Sequence, residues 1–348
     1  MKGFKSLLAP GLALGYAAMA FGLAARAPAQ NLTTLSSDYL TVAFPVAAVN
    51  NSGEAIGDGG LATVIVREPD GTTTTFAPPG AVNAYAIAIN NVGAVAGWYY
   101  DAGSVRHGFL RDAAGTIAVI EAPGAGNQLR SGTMVDSVND AGYVSGHYFD
   151  SQGKTHGFVR DWSGDYFDFA PSGSTYVGVS LLSQNGEACG WYQDASSIGV
   201  GYVRDASGRI TSFAAPGSAS TQAAGINASG QITGTYTVEA TGKMQGFIRN
   251  ADGSFVTFAL PGGTIFPSVI VGIADNGDVV GYYGSSGFHG FLRSAATGAI
   301  TTFDDPDADH THFDGTFPES VSGNETIGGN FSDDKGSGAG FILAGEAD

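Results

Sequence analysis

Short apolar stretches interrupted by Gly, Asn, Asp or Pro run along almost the whole chain after residue 30. Within a stretch, β-branched and aromatic residues predominate, as in "VIVREPDGTTTTF", which ends at Phe76. Strands bounded by turn residues have this pattern, whereas the spacing typical of an amphipathic helix is missing. The pattern therefore predicts an all-β protein.

One landmark of this pattern recurs seven times. It begins with an aliphatic residue that is usually followed by Asn, and a short turn and then a Gly come after them. The aliphatic residue ends one predicted strand and the Gly lies in the next, so each copy predicts a tight hairpin. The copies are "VNNSGEAIG" from Val49, "INNVGAVAG" from Ile89, "VNDAGYVSG" from Val138, "LSQNGEACG" from Leu182, "INASGQITG" from Ile226, "IADNGDVVG" from Ile273 and "VSGNETIGG" from Val321.

Two further landmarks follow each copy in a fixed order. The first is a short apolar strand that usually ends in Arg, such as "HGFLR" at Arg111, and the second is an apolar segment with Pro, such as "FALPG" at Phe258. One repeat thus predicts four antiparallel strands in about 45 residues, which is the size of a propeller blade. The predicted fold is a seven-bladed β-propeller with four-stranded antiparallel blades.

The two ends of the chain predict how such a ring closes. The seventh repeat stops after its third strand, "GFILAG", and a strand-like segment, "NLTTLSSDYLTVAF", precedes the first repeat. We expect this N-terminal strand to complete the last blade, because closure removes the exposed strand edges that promote aggregation.

A family resemblance rests on the "HGF" segments, the "INNxG"-type turns and the "FxxPG" segments. "HGF" occurs at His107, His156 and His289. Together these segments resemble the bacterial extracellular HAF-type repeats, with Gly in place of the Ala of that signature. The resemblance covers nearly the whole chain after residue 29 and implies a secreted protein with a repeat-built β fold. It implies no catalytic motif.

Residues 1–29 have the features of a secretory signal peptide. Lys2 and Lys5 precede an apolar run at 7–25, and "APA" provides small residues before Gln30. We expect residues 30–348 to form a single propeller domain that is secreted or periplasmic. No later stretch reaches the roughly 18 apolar residues of a membrane span, so we expect none.

The charge and the missing motifs narrow the function. With 32 acidic and 15 basic residues the formal net charge is −17, which repels nucleic acid but not a neutral polymer or a divalent cation. Cys189 is the single cysteine, so no internal disulfide forms. The motifs of nucleophilic hydrolases and nucleotide enzymes are missing as well. We expect a monomer.

Residues that recur in phase are best explained by the scaffold, since the same local geometry demands them in every repeat. This applies to the "HGF" histidines, to the turn Asn residues and to the repeated Arg. Functional residues are expected where the repeat is broken, on the end of the ring that carries the connections after strands 2 and 4. These connections are expected to be longer and more variable than the other turns. The repeated Arg are Arg67, Arg111, Arg160, Arg204, Arg249 and Arg293.

The segment "DDPDADHTHFDG" breaks the repeat most strongly. Asp305, Asp307 and Asp309 alternate as in the first half of a calcium loop, although His310 replaces the expected Gly and no Glu closes the loop. His310 and His312 are instead suited to Zn²⁺ together with a carboxylate. The segment predicts a metal site for Ca²⁺ or Zn²⁺, and a solvated acidic loop is the alternative.

Two carboxylates break the pattern of the innermost strands. Three positions before the turn residue, five repeats have small or apolar residues, while Asp136 and Glu319 stand there in repeats three and seven. Burial beside a central channel raises a carboxyl pKa and suits acid–base catalysis. We consider Asp136 and Glu319 a candidate catalytic pair, with Arg130 as the group that neutralises an acidic sugar. Acids that line the channel and bind water are the alternative.

Large rings occupy the slot after the landmark Gly in several repeats, at Trp98, Trp191 and Tyr282, with His147 in the same slot of another. Such side chains stack on sugars or peptides when they are exposed, and they pack between blades when they are buried. They are the candidate ligand-binding residues.

Taken together, these features predict a secreted propeller that binds an extracellular polysaccharide or protein, with a divalent metal as a candidate aid. The alternative is a polysaccharide lyase or hydrolase that uses acid–base residues on the variable face. A purely structural envelope protein is the third hypothesis.

Overall fold

The computed structural model describes residues 39–42, 44–262, 268–284, 287–309, 314–332 and 338–344, and every regular element in these ranges is a β-strand. They belong to one structural unit, Asn31–Asp348. The predicted signal peptide lies outside the described residues. In the described part of the chain, no helix has the length and apolarity needed to cross a membrane.

The strands follow one another in groups of four that match the sequence repeat, and these groups are called units 1 to 7. Strand β1 (Tyr39–Val42) precedes unit 1, which has β2 (Val46–Val49), β3 (Ala55–Asp58), β4 (Val64–Arg67) and β5 (Thr73–Phe76). Unit 2 has β6 (Asn83–Ile89), β7 (Val95–Tyr100), β8 (Arg106–Arg111) and β9 (Ile117–Ile120). Unit 3 has β10 (Gly132–Val138), β11 (Val144–Phe149), β12 (Thr155–Arg160) and β13 (Tyr166–Phe169).

The remaining units have the same arrangement. Unit 4 has β14 (Tyr176–Leu182), β15 (Ala188–Gln193), β16 (Gly199–Arg204) and β17 (Ile210–Phe213). Unit 5 has β18 (Ser218–Ile226), β19 (Ile232–Val238), β20 (Met244–Arg249) and β21 (Phe255–Ala259). Unit 6 has β22 (Val269–Ile273), β23 (Val279–Gly284), β24 (Phe288–Arg293) and β25 (Ile300–Phe303), and unit 7 has β26 (Thr316–Val321), β27 (Ile327–Ser332) and β28 (Gly338–Leu343).

Within each unit the strands pair in chain order and antiparallel. Units 2 and 3 share one larger sheet through a single parallel pairing of Gly132 with Arg106. The three strands of unit 7 form a sheet with β1, in which Val42 lies opposite Gly340. The N-terminal strand that the sequence predicts therefore occupies the fourth position of unit 7.

The hydrophobic core lies between neighbouring sheets. One cluster joins Ile56 and Val66 of unit 1 to Val95 of unit 2, and another joins Ile342 of unit 7 to Val46 of unit 1. Each cluster includes aromatic or aliphatic side chains from the third strands, which explains the recurring apolar sequence there. The third-strand rings have no solvent exposure, at Phe109, Phe158, Tyr202, Phe247, Phe291 and Phe341.

The turn Asn residues both shape their own turn and link neighbouring units. Asn139 Oδ1 accepts a hydrogen bond from the Tyr143 N–H at 2.9 Å, and Gly142 completes the turn with a φ of 79° that favours glycine. Asn139 Nδ2 donates to the Ser183 carbonyl of unit 4 at 3.0 Å. Equivalent inter-unit bonds start from Asn50, Asn90 and Asn227. Sequence reasoning expected only the local bonds.

The repeated Arg have the scaffold role that the sequence predicts. In each, Nη1 donates to the carbonyl of the next residue, at distances such as 3.1 Å from Arg67 to Glu68 and 3.2 Å from Arg204 to Asp205. Most of these guanidinium groups also lie over an aromatic ring, as Arg293 does over Phe258 at 4.7 Å.

The connections define two ends of each sheet. Turns between strands 1 and 2 and between strands 3 and 4 lie at one end, called the turn end, and the other connections lie at the opposite, loop end. The expectation of long connections after strand 2 is wrong, since 101–105, 150–154 and 194–198 are tight turns closed by an Asp carboxylate. The connections between units vary most in length, from the four residues 214–217 to the twelve residues 304–315.

Candidate functional site

A β-bulge interrupts the first strand of all seven units at the same position. Each bulge inserts one residue that has no partner in the pairing with strand 2. A bulge changes the direction in which the side chain of such a residue points. In β10, for example, Val135 pairs with Gly146 and Ser137 with Ser145, which leaves Asp136 between them. The bulge residues are those that the sequence aligned: Ala47, Ile87, Asp136, Ser180, Ala224, Val271 and Glu319.

The bulge of unit 3 brings Asp136 into contact with His147. The His147 Nδ1 and Asp136 Oδ2 atoms are 2.6 Å apart, and only 10% of the His147 side chain and 16% of the Asp136 side chain are exposed. Burial raises the pKa of Asp136, and His147 opposes this rise through its charge and its hydrogen bond. Two residues that the sequence assigned to different roles thus form one pair.

The bulge of unit 7 places Glu319 in different surroundings. Burial raises the pKa of Glu319 to about 7, while a hydrogen bond with Asn330 lowers it. Asn330 also binds both the N–H and the carbonyl of Val46 in unit 1, at 2.7 and 3.2 Å. No hydrogen bond or ion pair in the described part of the chain joins Glu319 to Asp136, so the expected pair is not formed by contact.

The predicted ligand-binding residues all occupy one slot of strand 2, opposite the first strand. Trp98 pairs with Tyr85, His147 with Met134, Trp191 with Gly178 and Tyr282 with Val269. In the other units the slot holds Asp58, Thr235 and Asn330. The slot therefore differs from unit to unit while the strands around it are repeated.

A row of aromatic rings runs from unit 2 into unit 3 at the loop end. The Tyr85 and Trp98 rings stack at 4.3 Å between centroids, and the Tyr100 ring meets the edge of Trp98 at 5.3 Å. Phe149 continues the row in unit 3, with its ring 5.8 Å from that of His147. Tyr85, Trp98, Tyr100 and Phe149 are all partly exposed. These rings are called the aromatic row.

Arg106 connects the two halves of this row. Its guanidinium carbon lies 5.5 Å from the centre of the Tyr100 ring and 4.8 Å from that of Phe149. Arg106 Nε donates to the Tyr100 hydroxyl at 3.2 Å, and its Nη1 donates to the Arg130 carbonyl. The side chain of Arg130 is itself exposed, and its backbone has a φ of 65°.

Arg106 thus places its guanidinium against the rings, and the predicted Arg130 contributes its backbone carbonyl to this contact. The sequence analysis did not single out Arg106, which directly precedes an "HGF" segment. A signal was present, since the equivalent positions hold Thr155, Gly199, Met244 and Phe288 and are not repeated.

Unit 4 has a further pair of rings, Tyr176 and Trp191. Their rings are 5.4 Å apart, with Trp191 buried and Tyr176 partly exposed. Burial raises the pKa of Tyr176 to about 12, the negative charge of Asp136 contributes to this rise, and Arg106 opposes it. Tyr176 thus lies within the electrostatic reach of both charged residues and keeps its proton at neutral pH.

A second aromatic group lies between units 6 and 7. The Tyr282 ring is 6.0 Å from Phe288 and 5.7 Å from Phe317, and these two rings are 4.8 Å apart. Burial raises the pKa of Tyr282 to about 12, and the charge of Glu319 adds to the effect. The predicted residues Tyr282 and Glu319 are thus neighbours.

The described part of the acidic segment has local structural contacts. The Asp305 N–H donates to Thr316 Oγ1 at 2.8 Å, and Asp305 Oδ1 accepts from the Asp307 N–H at 2.9 Å. Asp305 is buried, Asp307 is exposed, and the Asp309 N–H donates to the Ser332 carbonyl. His310 and His312 lie outside the described residues. Within those residues, no three His, Cys, Asp or Glu side chains are arranged to hold a metal ion.

The "HGF" histidines contact scaffold residues in all three units. Each imidazole stacks on a strand-2 tyrosine, as His156 does on Tyr148 at 5.0 Å, and pairs with a carboxylate, as His156 does with Asp150 at 3.1 Å. The other two have the same arrangement, with His107 next to Tyr99 and Glu121 and His289 next to Tyr283 and Asp304. Their repeated positions thus have a repeated packing role.

Comparisons with known proteins show the fold. No protein-family model and no curated protein matches this chain. Virginiamycin B lyase from Staphylococcus aureus matches with a TM-score of 0.58 at 14% identity, over 88% of this chain and 98% of that one. The BP39L lectin from Burkholderia pseudomallei gives 0.55 at 9%, over 88% and 98%. The WD40 repeats of RRP9 give 0.54 at 11%, over 89% and 98%. Since WD40 repeats are propeller blades, the described sheets have a β-propeller fold.

Proposed function

We propose that the chain is an exported seven-bladed β-propeller that binds an extracellular carbohydrate polymer along the aromatic row. The observation that supports this proposal is that Arg106 links the partly exposed rings of unit 2 to Phe149 of unit 3, at positions that the repeat leaves free to vary. If the repeated fold required these rings, the same residue types would stand at these positions in every unit.

Contacts between the last and first units support a closed ring. Asn324 Nδ2 donates to the Asn51 carbonyl at 2.9 Å, and Ser320 Oγ accepts from the Val49 N–H at 3.1 Å. Together with the Asn330 bonds to Val46, these contacts continue between units 7 and 1 the kind of bonding that links other neighbouring units. A closed ring presents the seven first strands, and with them the bulge residues, to a central channel.

The signal-like residues 1–29 and the HAF-type segments support export, and with it an extracellular or cell-envelope ligand. No second chain is needed to complete the aromatic row, so the proposed active form is a monomer. A metal at the acidic segment stays a separate prediction that involves His310 and His312.

A carbohydrate fits this surface better than a folded protein partner. Tyr and Trp combine a large apolar face with a polar group, and ligand sites combine such faces with a few polar groups that set orientation. Here Arg106, His147 and Asp136 provide the polar groups beside the rings. The net charge of −17 favours a polymer that is largely neutral.

The test compares two tryptophans at opposite ends of the sheets. Trp98→Ala removes a central ring of the row and is expected to weaken binding to polysaccharides by about tenfold or more, as loss of a central aromatic contact does. Trp162→Ala is the control, since Trp162 is 73% exposed in a turn at the turn end. Affinity electrophoresis in polysaccharide gels measures both variants. Equal retardation of both, or none for the wild type, contradicts the proposal.

A further inference from the structure

We infer that the aromatic row contains a catalytic site, at which Arg106, His147 and Tyr176 cleave a largely neutral polysaccharide by β-elimination at isolated hexuronate residues. This inference rests on the proposed carbohydrate binding and adds a reaction and a substrate class to it. Asp136 is a positioning residue that acts through His147.

His147 has the geometry of a general base. Its Nδ1 contacts the buried Asp136 carboxylate at 2.6 Å, which fixes the ring and favours the tautomer with hydrogen on Nδ1. Nε2 is then the basic nitrogen, and it forms no hydrogen bond to a described residue. The three other described histidines are stacked on a tyrosine in the repeated "HGF" position, and His147 is not.

Arg106 is a positive charge that forms no ion pair with any described carboxylate. Its hydrogen bonds go to a hydroxyl and a backbone carbonyl. The Tyr100 and Phe149 rings pack against the guanidinium group of Arg106. The N–H groups of the guanidinium that form no bond within the protein are left for a ligand. A planar fork of this kind binds a carboxylate with two parallel hydrogen bonds. The cation is therefore suited to the carboxylate of a uronic acid.

The distances of Arg106 and His147 from the Phe149 ring suit the binding of one sugar residue. Arg106 and His147 both lie close to the Phe149 ring, at 4.8 Å and 5.8 Å from its centre. In a hexuronate the acidic C5–H is attached to the carbon next to the carboxylate, so a base near the partner of that carboxylate can take this hydrogen. His147 is the base that shares the Phe149 ring with Arg106. Tyr176 lies in β14, which packs against β10 and β11, the strands of Asp136 and His147, and its pKa responds to the charges of Asp136 and Arg106.

The charge of the whole chain limits the substrate class. A net charge of −17 repels a densely charged polyuronate at long range, and a single guanidinium offsets little of this repulsion. A chain in which neutral sugars separate the uronates avoids the penalty. Neutral stretches also suit the uncharged rings of Tyr85 and Trp98.

The reaction needs no co-reactant. Nε2 of His147 takes the proton from C5, the electrons of that C–H bond form the C4=C5 double bond, and the bond from C4 to the glycosidic oxygen breaks. The leaving oxygen takes a proton from Tyr176, which regains one from solvent as His147 releases its own. The guanidinium stabilises the negative charge that builds up on the carboxylate in the transition state. The products are an unsaturated uronide and a new hydroxyl end.

The test follows the ultraviolet absorbance of the new double bond during incubation with gellan, in which neutral sugars separate the glucuronates. Carboxyl-reduced gellan is the matched substrate without uronate, and polygalacturonate is the densely charged one. We expect absorbance to rise with gellan, not with its reduced form, and more slowly with polygalacturonate. Equal rates on gellan and polygalacturonate would overturn the substrate class.

The variants test the residues. Arg106→Gln and His147→Gln are each expected to slow the reaction by about 100-fold or more. Loss of a group that stabilises transition-state charge and loss of a general base both have effects of this size. His156→Gln is the matched control, because His156 also pairs with an aspartate but belongs to the repeat. Thermal melting confirms that each variant is folded. A fully active His147→Gln protein would overturn the site.

Asp136→Asn distinguishes positioning from a structural role. Without the carboxylate, nothing fixes the ring and the tautomer of His147, so kcat is expected to fall while KM for gellan changes little. A KM that rises as much as kcat falls would contradict positioning. If the wild type binds gellan but forms no double bond, the inference fails and the proposed function stands. If the wild type binds none of the polysaccharides, both the inference and the proposed function fail.

Discussion

At the scale of single residues, Asp136 and Glu319 show that the same backbone position produces different chemistry. Both are the inserted residue of a first-strand bulge, and burial raises the pKa of both. Asp136 has an imidazole partner that stabilises its ionised form, whereas Glu319 has the neutral amide of Asn330. A buried carboxyl without a cationic partner is more easily protonated, so Glu319 is the group expected to titrate near neutral pH.

The raised pKa of Glu319 predicts a pH-dependent stability. The folded protein binds a proton at Glu319 more tightly than the unfolded chain does, so this contribution is complete below pH 4.5 and is lost as the pH rises to about 7. The loss is at most about 3 kcal/mol in the free energy of unfolding.

Urea unfolding at about pH 5 and about pH 8 measures this effect, with Glu319→Gln as the comparison. The substituted protein is expected to lose less stability between the two pH values than the wild type does. The same loss in both proteins would show that Glu319 does not titrate in this window.

At the scale of the strand and the sheet, the repeat is explained by what each strand contacts. The third strand places one ring between two sheets and one Arg at the turn end, where Nη1 binds the next carbonyl. The first strand has the bulge, and the second has the variable slot opposite it. Function can thus vary at the bulge and the slot without changing the residues that hold the sheets together.

The third-strand rings are expected to contribute much of the packing energy. Phe158→Ala removes a ring with no solvent exposure from the contact between sheets, and the expected loss is about 3–5 kcal/mol in the free energy of unfolding. Phe167→Ala is the control in the fourth strand of the same unit, because Phe167 is 47% exposed. Chemical unfolding of both variants measures the difference, and equal losses would contradict a core between the sheets.

At the scale of the whole molecule, the first and last units meet through β1 and through side-chain bonds to the backbone. Val42 of β1 is buried in one cluster with Ile342 and Val46. The strand therefore covers the edge of β28 and also packs against unit 1, which explains why a chain of repeats begins with a strand that belongs to its last unit.

Deletion of residues 31–43 tests this role. The truncated protein lacks the partner of β28, so we expect a lower melting temperature and aggregation through the exposed strand edge. Differential scanning calorimetry and size-exclusion chromatography measure the two effects. A monomeric truncated protein with an unchanged melting temperature would count against the proposed closure.

Local patterns in the sequence were enough to predict the strands, the repeat and the division between repeated and variable residues. Hairpins depend on neighbours within a few positions, so Asn139, Gly142 and the third-strand Phe and Arg could be interpreted from their spacing. The bulge and slot positions were also visible, because they are where the repeat changes.

Only the tertiary structure decided which variable residues meet. Asp136 contacts His147 because a bulge turns its side chain, and Arg106 reaches Phe149 because two units share a sheet. The link from Asn139 to unit 4 likewise depends on how units pack. These contacts join residues of different strands or units, and the repeat that specifies each unit contains no information about its few irregular neighbours.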